Sequence, residues 1–165
     1  MSREIHTISP VFDIHSRILI LGSFPSVKSR ETQFFYGHPQ NRFWRVLAAI
    51  TGEPLPLSIA EKKEFLLENR IAVWDVIQSC EITGSSDSSI RNVVPNDLSR
   101  ILCAAPVRRI FTNGRTAGRL YDKYCLKDTG RPALCLPSTS PANAACSLDR
   151  LLTAWDAVRA ALQET

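Results

Sequence analysis

Hydrophobic and polar positions along this chain switch repeatedly between two periods. Arg17 is followed by Ile18-Leu19-Ile20-Leu21, a short continuous apolar run broken by Gly22 and Pro25, which predicts a strand buried on both faces. From Asn41 the apolar residues recur as Phe43, Val46, Leu47 and Ile50 and stop at Gly52. That i, i+3, i+4, i+7 spacing predicts a helix packed on a core. Ser58-Ile59-Ala60-Glu61 has the spacing of a capping box and starts a second helix running to about Arg70. Ile71 to Ile77 reads as a second strand. The stretch from Gln78 to Asn92 is polar, rich in serine and too weakly patterned for a core element, so it is expected to be a surface excursion. Asp97 is expected to cap a short helix reaching Ala105, Arg109-Ile110-Phe111-Thr112 to form a third strand, and Asn113-Gly114 to turn into a helix carrying Ala117, Leu120, Tyr121 and Tyr124. Ala133 to Leu136 makes a fourth strand stopped by Pro137, and Ser147 caps a last helix whose Leu148, Leu151, Leu152, Trp155, Val158 and Leu162 share one face.

The resulting order, β-α-α-β-α-β-α-β-α, predicts an α/β fold: a three-layer α-β-α sandwich around a central, mainly parallel, four-stranded sheet. No repeat, linker or break in composition divides residues 1–165, which are expected to form a single domain. In such sheets ligands sit at the carboxyl ends of the strands. The segments to search are therefore Gly22 to Asn41, the residues after Ile77, Asn113 to Arg115, and Pro137 to Asn143.

Composition narrows the class further. With 165 residues, 44% of them hydrophobic, the chain can bury a core without a disulfide or metal staple. Twenty Lys and Arg against sixteen Asp and Glu, net +4, lean weakly toward an anionic partner. Cys80, Cys103, Cys125, Cys135 and Cys146 are odd in number and lie on separate stretches, with no C-x-x-C pair. Neither a disulfide framework nor a structural metal is expected. Met1 to Pro10 holds no apolar signal core and no run is long enough to span a membrane, so a cytoplasmic protein without a membrane partner is expected. No self-association surface is visible, which leaves monomer as the default.

The unusual residues fall in the segments named above. Gly22-Ser23-Phe24-Pro25-Ser26 leaves the first strand through a Gly that permits close approach and a Pro that fixes the exit. Lys28 lacks the frame of a P-loop and G-x-S-x-G is absent, so two common phosphate and hydrolase motifs are excluded. Gln33 to Trp44 concentrates three adjacent aromatics, Phe34, Phe35 and Tyr36, with His38 and Asn41 just before a helix. Asn41 suits an N-cap, and three consecutive aromatics in a loop cannot all face inward, so at least one offers a stacking surface for a base. Leu136-Pro137-Ser138-Thr139-Ser140-Pro141-Ala142-Asn143 supplies short hydroxyls between prolines, as a loop gripping phosphate needs. Thr112-Asn113-Gly114-Arg115 adds a helix start and a cation at the same rim.

Taken in order, Gly22-Ser23-Phe24-Pro25-Ser26, Tyr36-Gly37-His38-Pro39-Gln40-Asn41-Arg42-Phe43-Trp44 and Leu136 to Ala142 resemble the motifs of the uracil-DNA glycosylase superfamily. The middle stretch is similar to the H-P-x-N-R-F-W of mismatch-specific uracil and thymine glycosylases, and the whole most resembles the hypoxanthine-DNA glycosylase branch. One departure is informative: Phe24 stands where mismatch-type relatives carry a catalytic Asn, and Gly22 to Arg30 holds no Asp.

The resemblance implies a monofunctional glycosylase that flips a deaminated base, hypoxanthine from deoxyinosine, out of DNA and hydrolyses its N-glycosidic bond without metal or cofactor. It implies that Asn41 takes over the missing role by placing the water or hydrogen-bonding the base, that Gly22, Ser23, Phe24, Pro25 and Tyr36 hold the base, and that Ser26, Lys28, Asn113, Arg115, Ser138, Thr139, Ser140, Pro141 and Ala142 contact DNA. His38 is read either as an acid or electrophile on the base or as a residue that fixes the loop. Asp75 is read as a hydrogen-bonded structural residue. Alternatives are the same chemistry on uracil, xanthine or a mismatched pyrimidine, and a catalytically silent nucleic-acid-binding domain. Lys28, Arg30, Arg42, Arg115 and Arg119 flank the rim while Glu53, Glu61, Glu64, Glu68 and Glu81 lie mid-chain, which implies a polarised surface for a DNA backbone.

Overall fold

The computed structural model describes residues 2–164. In chain order its strands are β1 (Ser2–Ile5), β2 (Ile18–Gly22), β3 (Ile71–Asp75), β4 (Ile77–Ile82), β5 (Arg91–Pro95), β6 (Arg109–Asn113) and β7 (Ala133–Leu136). Its helices are α1 (Val27–Thr32), α2 (Phe43–Thr51), α3 (Ile59–Glu68), α4 (Ser99–Leu102), α5 (Arg115–Tyr124), α6 (Leu126–Thr129) and α7 (Leu148–Leu162).

The expected parallel sheet is present, with strand order β3-β2-β6-β7. Ile18 to Leu21 of β2 are wholly buried, as their unbroken apolar run requires of a central strand covered on both faces. At the β7 edge Leu134 and Cys135 are exposed. Helices flank the sheet as three layers: α2 packs on α7, α7 on β2, α3 on β3, and α5 on β6 and β7. The fully buried Trp155 of α7 meets Phe43 of α2 edge-on, with ring centroids 6.0 Å apart, so the two helices share one aromatic core. Ser147 accepts from the Arg150 N–H at the start of α7, the cap the sequence predicts. Ser147→Ala is expected to cost about 1 kcal/mol and lower the melting temperature by roughly 2–4 °C in a calorimetric scan.

Three sequence expectations are corrected. The second strand does not run from Ile71 to Ile77: β3 stops at Asp75, and after Val76 the chain enters β4 of a separate antiparallel sheet, ordered β1-β4-β5. Consequently the stretch Gln78 to Asn92 is not a surface excursion, since Cys80 and Ile82 of β4 pack with Ile77 and Phe24 in a second core. Register shifts between Ile77 and Ser79 and between Ser79 and Glu81 interrupt the pairing of β4 with β5. Such irregularities break the period-two alternation by which a strand is read from sequence. The serine-rich turn, Thr83 to Ser88, is exposed as expected. The helix after Asp97 is also shorter, Ser99–Leu102, with Asp97 accepting from the Ser99 N–H.

Candidate active site

The register of the parallel sheet brings four carboxyl ends into one row. Gly22 lies opposite Asp75, Leu21 opposite Thr112, and Asn113 opposite Leu136. Over this row opens a cavity of about 340 Å³ walled by Gly22 to Ser26, Tyr36, Asn41, Asp75, Ser85 to Ser88, Asn113 and Ser138 to Ser140. Its size is that of a small-molecule site. The three motif segments of the sequence thus converge, joined by two that sequence reasoning set aside: Asp75 and the serine-rich turn.

Asn41 sits one residue before the observed N-cap of α2, which is Arg42. Its Oδ1 still accepts from the first helical amide, Phe43 N–H, at 3.0 Å. The same oxygen accepts from the Thr139 hydroxyl at 2.8 Å. Thr139 Oγ1 in turn accepts from Asn113 Nδ2 at 2.9 Å, and Thr139 N–H donates to Asn113 Oδ1 at 3.0 Å. Backbone N–H groups can only donate, so Phe43 and Thr139 fix which end of each amide is oxygen. Both lone pairs of Asn41 Oδ1 are therefore occupied, and the group Asn41 can offer to the cavity is its NH₂.

Thr139 is completely buried; no phosphate reaches it, and its expected DNA contact is replaced by this internal relay. Thr139→Val keeps the shape but removes the hydroxyl, leaving Asn113 Nδ2 without its acceptor and Asn41 Oδ1 with one donor instead of two, and is expected to cost about 1–3 kcal/mol of stability. If the protein excises a base, turnover should fall about tenfold, with Thr139→Ser restoring both. A thermal melt and a single-turnover assay check these outcomes.

Phe34 and Phe35 are buried and Tyr36 is half-exposed, the division the triple-aromatic loop predicts. Tyr36 adopts φ 52°, a left-handed conformation rare for a bulky residue. Its ring stacks on Phe43 with centroids 3.9 Å apart, so one ring face is already covered. Its hydroxyl is buried with no hydrogen bond within normal geometry among the described residues, and burial together with the Asp75 charge pushes the phenol well above its ordinary range, opposed by the Asn113 side chain. It is a donor with nothing to donate to.

The remaining candidates divide. Ser23 lines the cavity and donates to Asp87 of the serine-rich turn at 3.2 Å. Asp87 is exposed as a residue, but partial desolvation of its carboxyl beside the cavity raises it, opposed by the Ser23 and Thr116 hydroxyls. Phe24 faces the second core rather than replacing an amide. His38 is not in the cavity wall; its Nδ1 accepts from Gln40 N–H and its carbonyl from Asn41 N–H, contacts that fix the loop leading to Asn41. Ser26 caps α1 by accepting from Ser29 N–H. Arg42 donates to the carbonyls of Cys146 and Asn143, and Arg30 to that of Gly84. These two cations hold loops, while Lys28, Arg115 and Arg119 are the exposed ones at the rim. Ser140 caps the short turn Pro141–Asn143, where Ala142 is exposed. Trp155 Nε1 donates to Pro137 O at 2.9 Å and ties that loop to α7. Among the described residues no group of three or more His, Cys, Asp or Glu is placed to hold a metal, and no helix is long and apolar enough to cross a membrane.

The model of the family described as the uracil DNA glycosylase superfamily matches residues 9–160. The chain belongs to the uracil DNA glycosylase superfamily. Its substrate class is accordingly DNA. A hypoxanthine DNA glycosylase of Methanosarcina acetivorans is 41% identical over 150 residues, covering 90% of this chain and 93% of the relative. One from Methanosarcina barkeri is 36% identical over 136 residues, covering 81% and 85%. The fold matches, with a TM-score of 0.81 and 38% identity, the solution structure of a candidate uracil DNA glycosylase from Methanosarcina acetivorans, over 95% of this chain and 97% of that one. Within this superfamily member, Asp75 and Asp87 are the cavity residues that sequence reasoning discounted or missed, and His6 stands behind Asp75. None lies in a contiguous motif: Asp75 ends β3 opposite Gly22, and Asp87 comes from the turn after β4.

Proposed function

We propose that this protein is a DNA glycosylase that removes a deaminated base, hypoxanthine from deoxyinosine, in the first step of base excision. The observation that carries this reading is the Asn41 amide, locked by Phe43 N–H and Thr139 with its NH₂ free for the cavity. A duplex base reaches such a cavity only by leaving the stack. With the purine seated, the C1′–N9 bond breaks, its electron pair goes to the base, and water oxygen adds to the oxocarbenium-like sugar carbon, its lost proton ending on the freed base. The departing base gathers negative charge, and a preorganised N–H donor is worth most where charge develops. Asn41 then serves the leaving base; with both Oδ1 lone pairs in use it is not the group that accepts a hydrogen bond from the water. Tyr36 supplies its uncovered face for stacking, and the exposed Ala142 at the end of the Ser138 to Ala142 loop meets the DNA backbone together with Lys28 and Arg115. The five unpaired cysteines fit a reducing, cytoplasmic setting.

The kinship with two hypoxanthine DNA glycosylases favours hypoxanthine over uracil or xanthine. The test is alkaline strand scission of matched duplexes containing deoxyinosine, deoxyuridine or deoxyxanthosine after incubation with the purified chain. Cleavage only at deoxyinosine is expected. Cleavage only at uracil would reassign the substrate, and cleavage of none would leave a silent binding domain.

A further inference from the structure

The reaction above leaves unused a second concavity beside the cavity. α5 carries Arg115, Arg119 and Lys123 four residues apart, hence on one face of the helix. All three are exposed, and none forms an ion pair among the described residues. Lys28 on α1, by contrast, is held 3.8 Å from Glu31. Between the cationic face of α5 and β5 lies a groove of about 350 Å³. Arg91 lines it from β5, anchored by donating to the Ser88 and Ile90 carbonyls at 3.0 and 2.8 Å. Ile90, Val93 and Leu120, which pack on the second core, give it an apolar floor. At the end of α5 Tyr124 also lines it, with the Lys123 ammonium 5.2 Å from its ring centroid. Asp87 and Ser88 belong to both concavities, so groove and cavity share a wall. Asp87, the carboxylate on that wall, already accepts from the Ser23 hydroxyl.

A row of cations over an apolar floor complements one edge of a nucleic-acid strand, whose phosphates seek positive charge and whose deoxyribose carbons can rest on aliphatic side chains. Four helical residues rise about 6 Å, a separation close to that of neighbouring phosphates on one strand. Arg115 to Lys123 thus spans about 12 Å, or two such steps. A helix face that merely solvates the protein mixes signs and pairs its charges, whereas Asp122, the single acid of α5, lies off this stripe. We propose that the groove is a second DNA-binding site, a track for the backbone of the lesion strand to one side of the extruded nucleotide, with Arg115, Arg119 and Lys123 on its phosphates and Arg91 facing them from β5. This rests on the base-excision reading above and adds a direction to it: the protein grips one flank of the lesion through α5 and has no such track for the other.

The experiment measures binding of the full chain, by fluorescence anisotropy across a salt series, to a duplex carrying one inosine with a 2′-fluoro-arabino sugar, which resists hydrolysis. Two further duplexes have one flank or the other cut back to the base pair beside the lesion, and single-turnover excision of deoxyinosine is followed in parallel. Arg119→Ala combined with Lys123→Ala should lower the slope of log K against log salt by about 2 and weaken binding roughly ten- to hundredfold near 0.1 M salt. Arg108→Ala combined with Lys127→Ala makes the same charge change at exposed positions outside the groove, and should leave the slope near that of wild type. Cutting one flank should erase the difference between wild type and the groove variant, and cutting the other should preserve it. Thermal melts check that each variant is folded. An unchanged slope in the groove variant, or a loss matched by the control variant, would make the stripe a solvated face and overturn the inference. A difference that survives the loss of either flank would overturn it too. If wild type excises deoxyinosine and the groove variant binds as wild type does, the inference fails alone; if wild type neither excises nor binds, the base-excision reading fails with it.

Discussion

Asn41→Ala is expected to lower single-turnover excision of deoxyinosine about a hundred- to a thousand-fold, the cost of one preorganised donor facing a developing charge, with little change in binding to undamaged duplex. The decisive companion is Asn41→Asp. Its near oxygen can still accept from Phe43 N–H and Thr139, the contacts that seat the native side chain, so the loop should keep its shape. The second oxygen would then face the cavity as an acceptor with negative charge. If Asn41 worked by orienting water through an accepting oxygen, the carboxylate would retain much of the rate. Because the native oxygen is already doubly engaged, Asn41→Asp should instead be at least as slow as Asn41→Ala. A fast Asn41→Asp would sink the donor assignment.

Gly22→Ala should damage both fold and activity. The added methyl would lie against Asp75 Oδ1, in space that real Cβ contacts do not occupy, and near Tyr36 Oη. Asp75 cannot swing away cheaply, since His6 holds it below and its backbone carbonyl accepts from Asn96 Nδ2. Overpacking of this kind costs about 1–3 kcal/mol, readable as a lower denaturation midpoint. The activity loss should be about a hundredfold, because displacing the row of strand ends by even an ångström misplaces the base. A Gly22→Ala protein with wild-type turnover would mean that the base does not sit over this row.

Much of this architecture is legible from local pattern. The apolar runs of β2, β6 and β7 and the amphipathic spacing of α2 and α7 specify their elements because burial on both faces or along one stripe leaves a periodic trace. Ser58 and Ser147 mark helix starts because a side-chain oxygen must satisfy orphan amides there. The three motif segments are readable because each is contiguous, and parallel topology requires them to meet at the carboxyl ends.

The second sheet and the far side of the cavity left no such trace. β1 and β5 are largely exposed strands, and β4 carries irregular pairing, so their pairing depends on partners up to 80 residues away in the chain, as Ser2 with Ile82 illustrates. By itself the sequence determined a parallel three-layer core and the rim at which its motif segments, Asn41 among them, come together. Only the tertiary structure decided that Thr139 turns inward onto Asn41, that Arg30 and Arg42 bond to loop carbonyls, and that His6 meets Asp75. Hydrogen-bond direction and burial belong to contacts between distant segments, and no local periodicity encodes them.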